Sequence, residues 1–148
     1  MKWIIIAMGL AWFSASASAN QLNQTKIVAK TVYSEQNARE FQGSHILVNL
    51  IIPPSQGALT IEVSNNTGLS FGSFNFNLSI LGGSGSLQFA NLAPTVTARR
   101  IINLPTLREL KIEKIIAFNK QADEIFPRTI VQYVYPKNMK KSDFVSRR

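Results

Sequence analysis

The chain lacks cysteine altogether and has one histidine and eight acidic residues among its 148 positions. Without cysteine it forms no disulfide, so packing and sheet hydrogen bonds must hold the fold together. A zinc site needs three or four Cys, His or carboxylate ligands, and the sequence has no such cluster. A Ser-His-Asp triad would have to use His45, which begins an apolar strand, and no G-x-S-x-G turn is present. We therefore predict a protein that is not an enzyme and that has no cofactor and no metal.

The first nineteen residues have the layout of a secretory signal peptide. Lys2 supplies a positive charge, the stretch from Trp3 to Phe13 is apolar, and small residues lead up to Ala19, so cleavage is expected before Asn20. This apolar stretch is well short of the roughly 20 residues that cross a bilayer. We expect an exported protein of the periplasm or the extracellular space, whose mature form has no membrane span.

The excess of positive charge is confined to the C-terminal part of the chain. The chain has 16 basic and 8 acidic residues, a net charge of +8, and removal of Lys2 with the signal peptide would leave +7. Charges cancel between residues 20 and 98, whereas residues 99–148 contain twelve basic and five acidic residues. This asymmetry indicates an anionic partner, for which lipid phosphate, an acidic glycan and DNA are the candidates. The alternative is that the charge serves solubility alone.

The basic C-terminal tail, residues 137–148, is the predicted binding site for that partner. Its five basic residues are Lys137, Lys140, Lys141, Arg147 and Arg148. They follow the aromatic pair Tyr133 and Tyr135, and charge with aromatic rings can hold a phosphate-rich surface. Lys111 and Lys114 could extend the site, together with only one of Arg99 and Arg100, because neighbouring residues of a strand point to opposite faces. The alternative is a solvated tail without a partner.

Alternation of apolar and polar residues dominates the chain after the signal peptide and predicts an all-β fold. Strands are predicted over residues 25–33, 45–52, 59–63, 74–80, 86–89, 95–104, 107–118 and 129–135, a short helix over 34–42, and one or two helical turns over 119–126. Seven or eight short strands are typical of a β-sandwich. We predict a single immunoglobulin-like β-sandwich over residues 20–136, between a signal peptide of residues 1–19 and the tail.

The strongest alternation lies in a part of the chain without charge. Phe74, Phe76, Leu78 and Ile80 alternate with small polar residues, and residues 64–91 contain no charged side chain. An uncharged strand at a sheet edge is a template for another strand, so these four residues are candidates for strand addition. The alternative is a central strand that is paired on both edges, with its apolar side chains in the core.

These features together predict an exported, non-enzymatic binding or assembly module of the bacterial envelope or the extracellular space. It would act through sheet-edge or basic-surface contacts, with another protein or with copies of itself. The alternative function is a β-sandwich carrier whose interior holds a lipid or another apolar ligand.

Overall fold

The computed structural model describes residues 27–34, 44–53, 57–80, 83–104 and 110–139, and these residues contain nine strands and no helix. The strands are β1 (Ile27–Val32), β2 (Ile46–Ile51), β3 (Gly57–Asn65), β4 (Phe71–Ile80), β5 (Gly83–Leu92), β6 (Thr97–Leu104), β7 (Leu110–Asn119), β8 (Glu124–Ile125) and β9 (Thr129–Val134). The predicted all-β fold is confirmed, and each predicted strand has its counterpart.

The strands form two packed sheets, so the sandwich architecture is confirmed as well. The five-stranded sheet has the order β1-β9-β2-β3-β6, and the four-stranded sheet has the order β5-β4-β7-β8. β9 runs parallel to both β1 and β2, whereas all other pairs are antiparallel. The last strand thus lies between the first two, and the five-stranded sheet is complete only when both ends of the domain have come together.

The core between the sheets is rich in phenylalanine. Phe71, Phe74, Phe76 and Phe89 are at most 2 % exposed, and aliphatic side chains of β2 and β3 pack in the same cluster. The rings of Phe76 and Phe89 stack with their centroids 5.7 Å apart. Full burial of such a side chain contributes about 1.5–3 kcal/mol, so this core can stabilise a domain that has no disulfide.

β4 is an interior strand, which corrects the strand-addition prediction for its residues. It is paired with β5 along one edge and with β7 along the other. Phe74, Phe76 and Leu78 lie in the core, and Ile80 ends the strand opposite Gly83 and Leu110. Because both backbone edges are occupied, β4 cannot receive another strand, and the central-strand alternative is what the structure shows.

The two predicted helical segments have different outcomes. The helix over 34–42 lies outside the described residues except for Ser34. Residues 119–126 form a turn and the short strand β8. The Asn119 side-chain oxygen accepts hydrogen bonds from the backbone N–H groups of Gln121 and Asp123, at 2.9 and 2.8 Å. Asn side chains that bond to the following backbone favour turns over helices, which explains the difference.

Residues after the predicted domain end at residue 136 still contact the sandwich. Met139 is partly buried against the core, and its N–H donates to the carbonyl of Pro136 at 2.9 Å. Residues 1–19, the predicted signal peptide, and residues 140–148 lie outside the described residues. Within the described ranges, no helix has the length and apolar character needed to cross a membrane.

Candidate interaction surfaces

The basic tail is only partly described, and its anion-binding role stays a prediction. Lys137 lies in a turn after β9 and is exposed. Lys140, Lys141, Arg147 and Arg148 lie outside the described residues.

Arg99 and Arg100 point to opposite faces of β6, as the alternation predicts. Arg99 is on the outer face, where its Nε donates to the Glu62 carboxylate at 2.8 Å. Arg100 is on the inner face, and its guanidinium carbon lies 6.0 Å from the centroid of the Phe89 ring. Each arginine therefore has a partner within the domain.

Lys111 and Lys114 lie on the outer face of the four-stranded sheet, opposite Ser79 and Asn77 of β4. Arg99 lies on the outer face of the other sheet. The structure thus places these cations on opposite sides of the sandwich and does not bring them together in one patch.

The edges of the two sheets differ in their charge. The edge strands are β1 and β6 in the larger sheet and β5 and β8 in the smaller one. β1 contains Lys30, β6 contains Arg99 and Arg100, and β8 contains Glu124. Among the described edges, β5 alone has neither a charged residue nor a proline. Charge and proline are the usual means by which proteins block unwanted strand pairing, so β5 is the unprotected edge.

β5 is also the longest edge strand, with ten residues. It pairs with β4 from Gly83 to Ala90 and again at Leu92, and no other described strand pairs with its second edge. Ser84, Ser86, Gln88 and Ala90 are exposed on its outer face, whereas Phe89 is buried on the inner face. Among the described strands, β5 is thus paired along one edge and unpaired along the other.

Gly85 is a position of β5 where a protecting charge could be placed. It pairs with Leu78 of β4, and a Cβ atom at this position would meet no atom within 4 Å. A charged side chain would therefore fit here, and an inward-pointing charge is a common way to protect an edge. The position has room for such a residue and contains none.

Asn65, at the end of β3, fixes the C-terminal end of β5. Its side-chain nitrogen donates to the carbonyls of Leu69 and Leu92, at 2.7 and 3.0 Å. Its oxygen accepts from the N–H and the hydroxyl of Thr67, at 3.0 and 2.6 Å. The sequence predicts a turn here, but only the structure shows that one fully buried side chain joins β3, the loop before β4 and the end of β5.

A polar row, which sequence reasoning missed, crosses the outer face of the larger sheet. Backbone register places Lys30, Gln132, Asn49, Glu62 and Arg99 side by side on the five strands. The Gln132 side chain is fully buried, and neither of its amide atoms has a hydrogen-bond partner among the described residues. In sequence, the signal is a polar fourth residue in each of three apolar six-residue strands, β1, β2 and β9.

An apolar pocket of about 320 Å³ lies where β2 and β9 end. Its described lining is Ser34, Ile51, Ile52, Pro53, Val134, Tyr135, Pro136 and Lys137. Beside it, the rings of Tyr33 and Tyr135 are 6.4 Å apart. Burial raises the pKa of the Tyr135 hydroxyl, and the neighbouring Tyr133 and Tyr33 raise this pKa further. The pocket is thus an apolar concavity with a neutral hydroxyl and a lysine in its lining.

His45 is the one histidine available for catalysis or metal binding. His45 is buried just before β2, and its carbonyl accepts a hydrogen bond from the Asn66 N–H at 2.9 Å. Within the part of the chain that the structure describes, no three His, Cys, Asp or Glu side chains come together as a metal site. The absence of enzymatic activity stays a prediction.

No protein-family model matches this chain, and neither a curated protein nor a solved structure matches it significantly.

Proposed function

We propose that this protein is an exported, non-enzymatic binding or assembly module that acts by strand addition at β5. The observation that supports the proposal best is the second edge of this strand, which pairs with no described strand and is long, uncharged and exposed. Strand addition takes its affinity from main-chain hydrogen bonds and its specificity from alternate side chains. The partner is therefore an extended segment of another protein or of another copy, without charge where it faces β5.

The remaining predictions belong to this proposal. Cleavage before Asn20, location in the periplasm or outside the cell, and binding of an anionic surface by the tail are proposed from sequence. The immunoglobulin-like relationship is also a prediction. The two packed sheets support it, whereas the parallel pairing of β9 differs from the antiparallel sheets of that fold.

A carrier of an apolar ligand is the second candidate function, and the pocket at the ends of β2 and β9 favours it. The volume of this pocket is at the lower end of the range for small-molecule sites. Buried phenylalanines pack between the sheets among the described residues, so this pocket is the described site where such a ligand would bind. Mass spectrometry of the natively purified chain would detect a small molecule that accompanies a carrier.

Strand addition is tested with a fluorescent peptide that has the sequence of residues 83–92. We expect the dilute natural chain to bind the peptide and the Gly85→Lys variant to bind it much more weakly, because a lysine would protect the β5 edge. The matched control is Gly68→Lys, which adds the same charge in the loop before β4, where a Cβ atom also meets nothing within 4 Å. Absence of binding, or equal binding by both variants, would contradict the proposal.

A further inference from the structure

We propose that the strand received by β5 is β5 of a second copy, so that two copies pair antiparallel about a two-fold axis. This inference rests on the proposed function and names its partner. The pairing would join the two four-stranded sheets into one continuous sheet across the dimer.

Charge is the first reason to prefer a second copy at this edge. Self-pairing places a strand opposite its own side chains, and like charges in direct opposition destabilise a sheet. No residue from Val63 to Ala98 is charged, so paired copies of β5 would set no charged side chains of these strands opposite each other. The same pairing at β6 would place Arg100 opposite or diagonal to its own copy, and pairing at β1 would do the same with Lys30.

Symmetry is the second reason, because it allows two copies of β5 to pair in only a few registers. A two-fold axis perpendicular to the sheet places the inner faces of both copies on the same side of the joined sheet. Residues that oppose each other across the contact must therefore come from the same face. The registers with the longest overlap set either Leu87 or Gln88 opposite its own copy. In the first of these, Phe89 faces Gly85 of the second copy, where the structure has open space beside the glycine. Leu87 is only partly buried in one copy and would be covered further in the dimer.

The oligomeric state of the natural chain tests the inference by analytical ultracentrifugation over a wide concentration range. We expect a reversible equilibrium of monomer and dimer for the natural chain and for Gly68→Lys, and monomer alone for Gly85→Lys. Thermal unfolding of both variants verifies that they are folded. A dimer that persists unchanged in Gly85→Lys would overturn the inference.

Cross-linking locates the contact independently. Since the chain has no cysteine, Gln88→Cys introduces a single thiol on the exposed face of β5. A short bismaleimide should join two copies of this variant in either register, because opposed and diagonal neighbours of paired strands lie within about 8 Å. Gly68→Cys is the control and should remain uncross-linked. Equal cross-linking of both variants would contradict a contact at β5.

Different results would overturn strand addition at β5 and self-pairing of β5. A chain that is monomeric at every concentration and still binds the peptide of residues 83–92 would overturn self-pairing and leave strand addition in place. A monomeric chain that does not bind the peptide would overturn both.

Discussion

β5 and β6 follow each other in the chain, and each is an edge strand of its own sheet. They differ in whether their side chains protect the edge against pairing with another strand. β5 has ten residues and no charge, whereas β6 has eight residues and two adjacent arginines. The two strands touch through Arg100, whose guanidinium lies over the Phe89 ring. Each strand is paired along one edge with a described neighbour, β4 or β3, so we attribute the difference between the other two edges to their side chains.

The openness of β5 does not mean that the strand is loosely held. Phe89 is 2 % exposed and stacked on Phe76, and Asn65 bonds the carbonyl of Leu92 at the end of the strand. On β6, Arg99 forms an ion pair with Glu62 on the outer face of the sheet. A rigid, uncharged edge loses little conformational entropy when another strand adds to it, which favours binding.

The largest expected effect is the loss of the inner anchor of β5. Phe89→Ala would remove a buried ring, and such substitutions cost about 3–5 kcal/mol in the free energy of unfolding. Urea denaturation followed by circular dichroism measures this change. The control is Gln88→Ala on the exposed face of the same strand, expected to change stability by at most about 0.5 kcal/mol. Similar results for both variants would show that β5 is not anchored through Phe89.

A smaller loss is expected when the polar anchor is removed. Asn65→Ala would leave buried partners such as the Leu92 carbonyl without their hydrogen bond, and each such group costs about 1–3 kcal/mol. Asn66→Ala is the control, since Asn66 is exposed beside it. Urea denaturation gives the stability, and amide exchange near Leu92 should accelerate in Asn65→Ala alone. Unchanged exchange would mean that Asn65 does not hold the end of β5.

Removal of the charges on β6 should alter association more than stability. The double variant Arg99→Ser, Arg100→Ser loses one exposed ion pair and one ring contact, each worth about 0–1 kcal/mol. It leaves β6 uncharged beside Ile101, which is 66 % exposed. Light scattering should detect species larger than those of the natural chain. The control is the double variant Lys120→Ser, Arg128→Ser, which has the same net charge and should not form these larger species. Equal association of the two double variants would show that the arginines do not protect β6.

The smallest effect on stability is expected from deletion of the tail after Met139. This end point keeps the contact of Met139 with the core and removes Lys140, Lys141, Arg147 and Arg148. Stability should not change, while binding to anionic vesicles should weaken. The difference should diminish with salt, since the Debye length falls from about 10 Å at 0.1 M to about 3 Å at 1 M. Equal binding by both forms would assign the tail no role at anionic surfaces.

The sequence predicts which faces of the strands are buried but not which strands are neighbours. Alternation correctly places Phe74 and Phe76 in the core, because burial of one face imposes a period of two residues. It contains no information on lateral order, and β7, which occupies the second edge of β4, lies far along the chain. The unprotected edge therefore belongs to β5 and not to β4.

The polar row shows the same limit on the larger sheet. Lys30, Asn49 and Gln132 each stand fourth in an apolar strand, but nothing in the separate strands indicates that these positions coincide. Only the parallel register of β1, β9 and β2 aligns them. The sequence does not reveal the anchor at Asn65 for a similar reason. One of its partners, Leu69, lies in the loop before β4, and the other, Leu92, lies at the end of β5.

Residue-resolved amide hydrogen exchange tests the role of β5 most directly, with β6 as the internal reference. The exchange of the natural chain is measured by NMR alone and with an excess of the peptide of residues 83–92. We predict that alternate amides within Gly83–Leu92, those that point away from β4, exchange more slowly when the peptide is present, while the amides of β6 do not change. Unchanged exchange throughout β5, or slower exchange in β6 instead, would contradict the account.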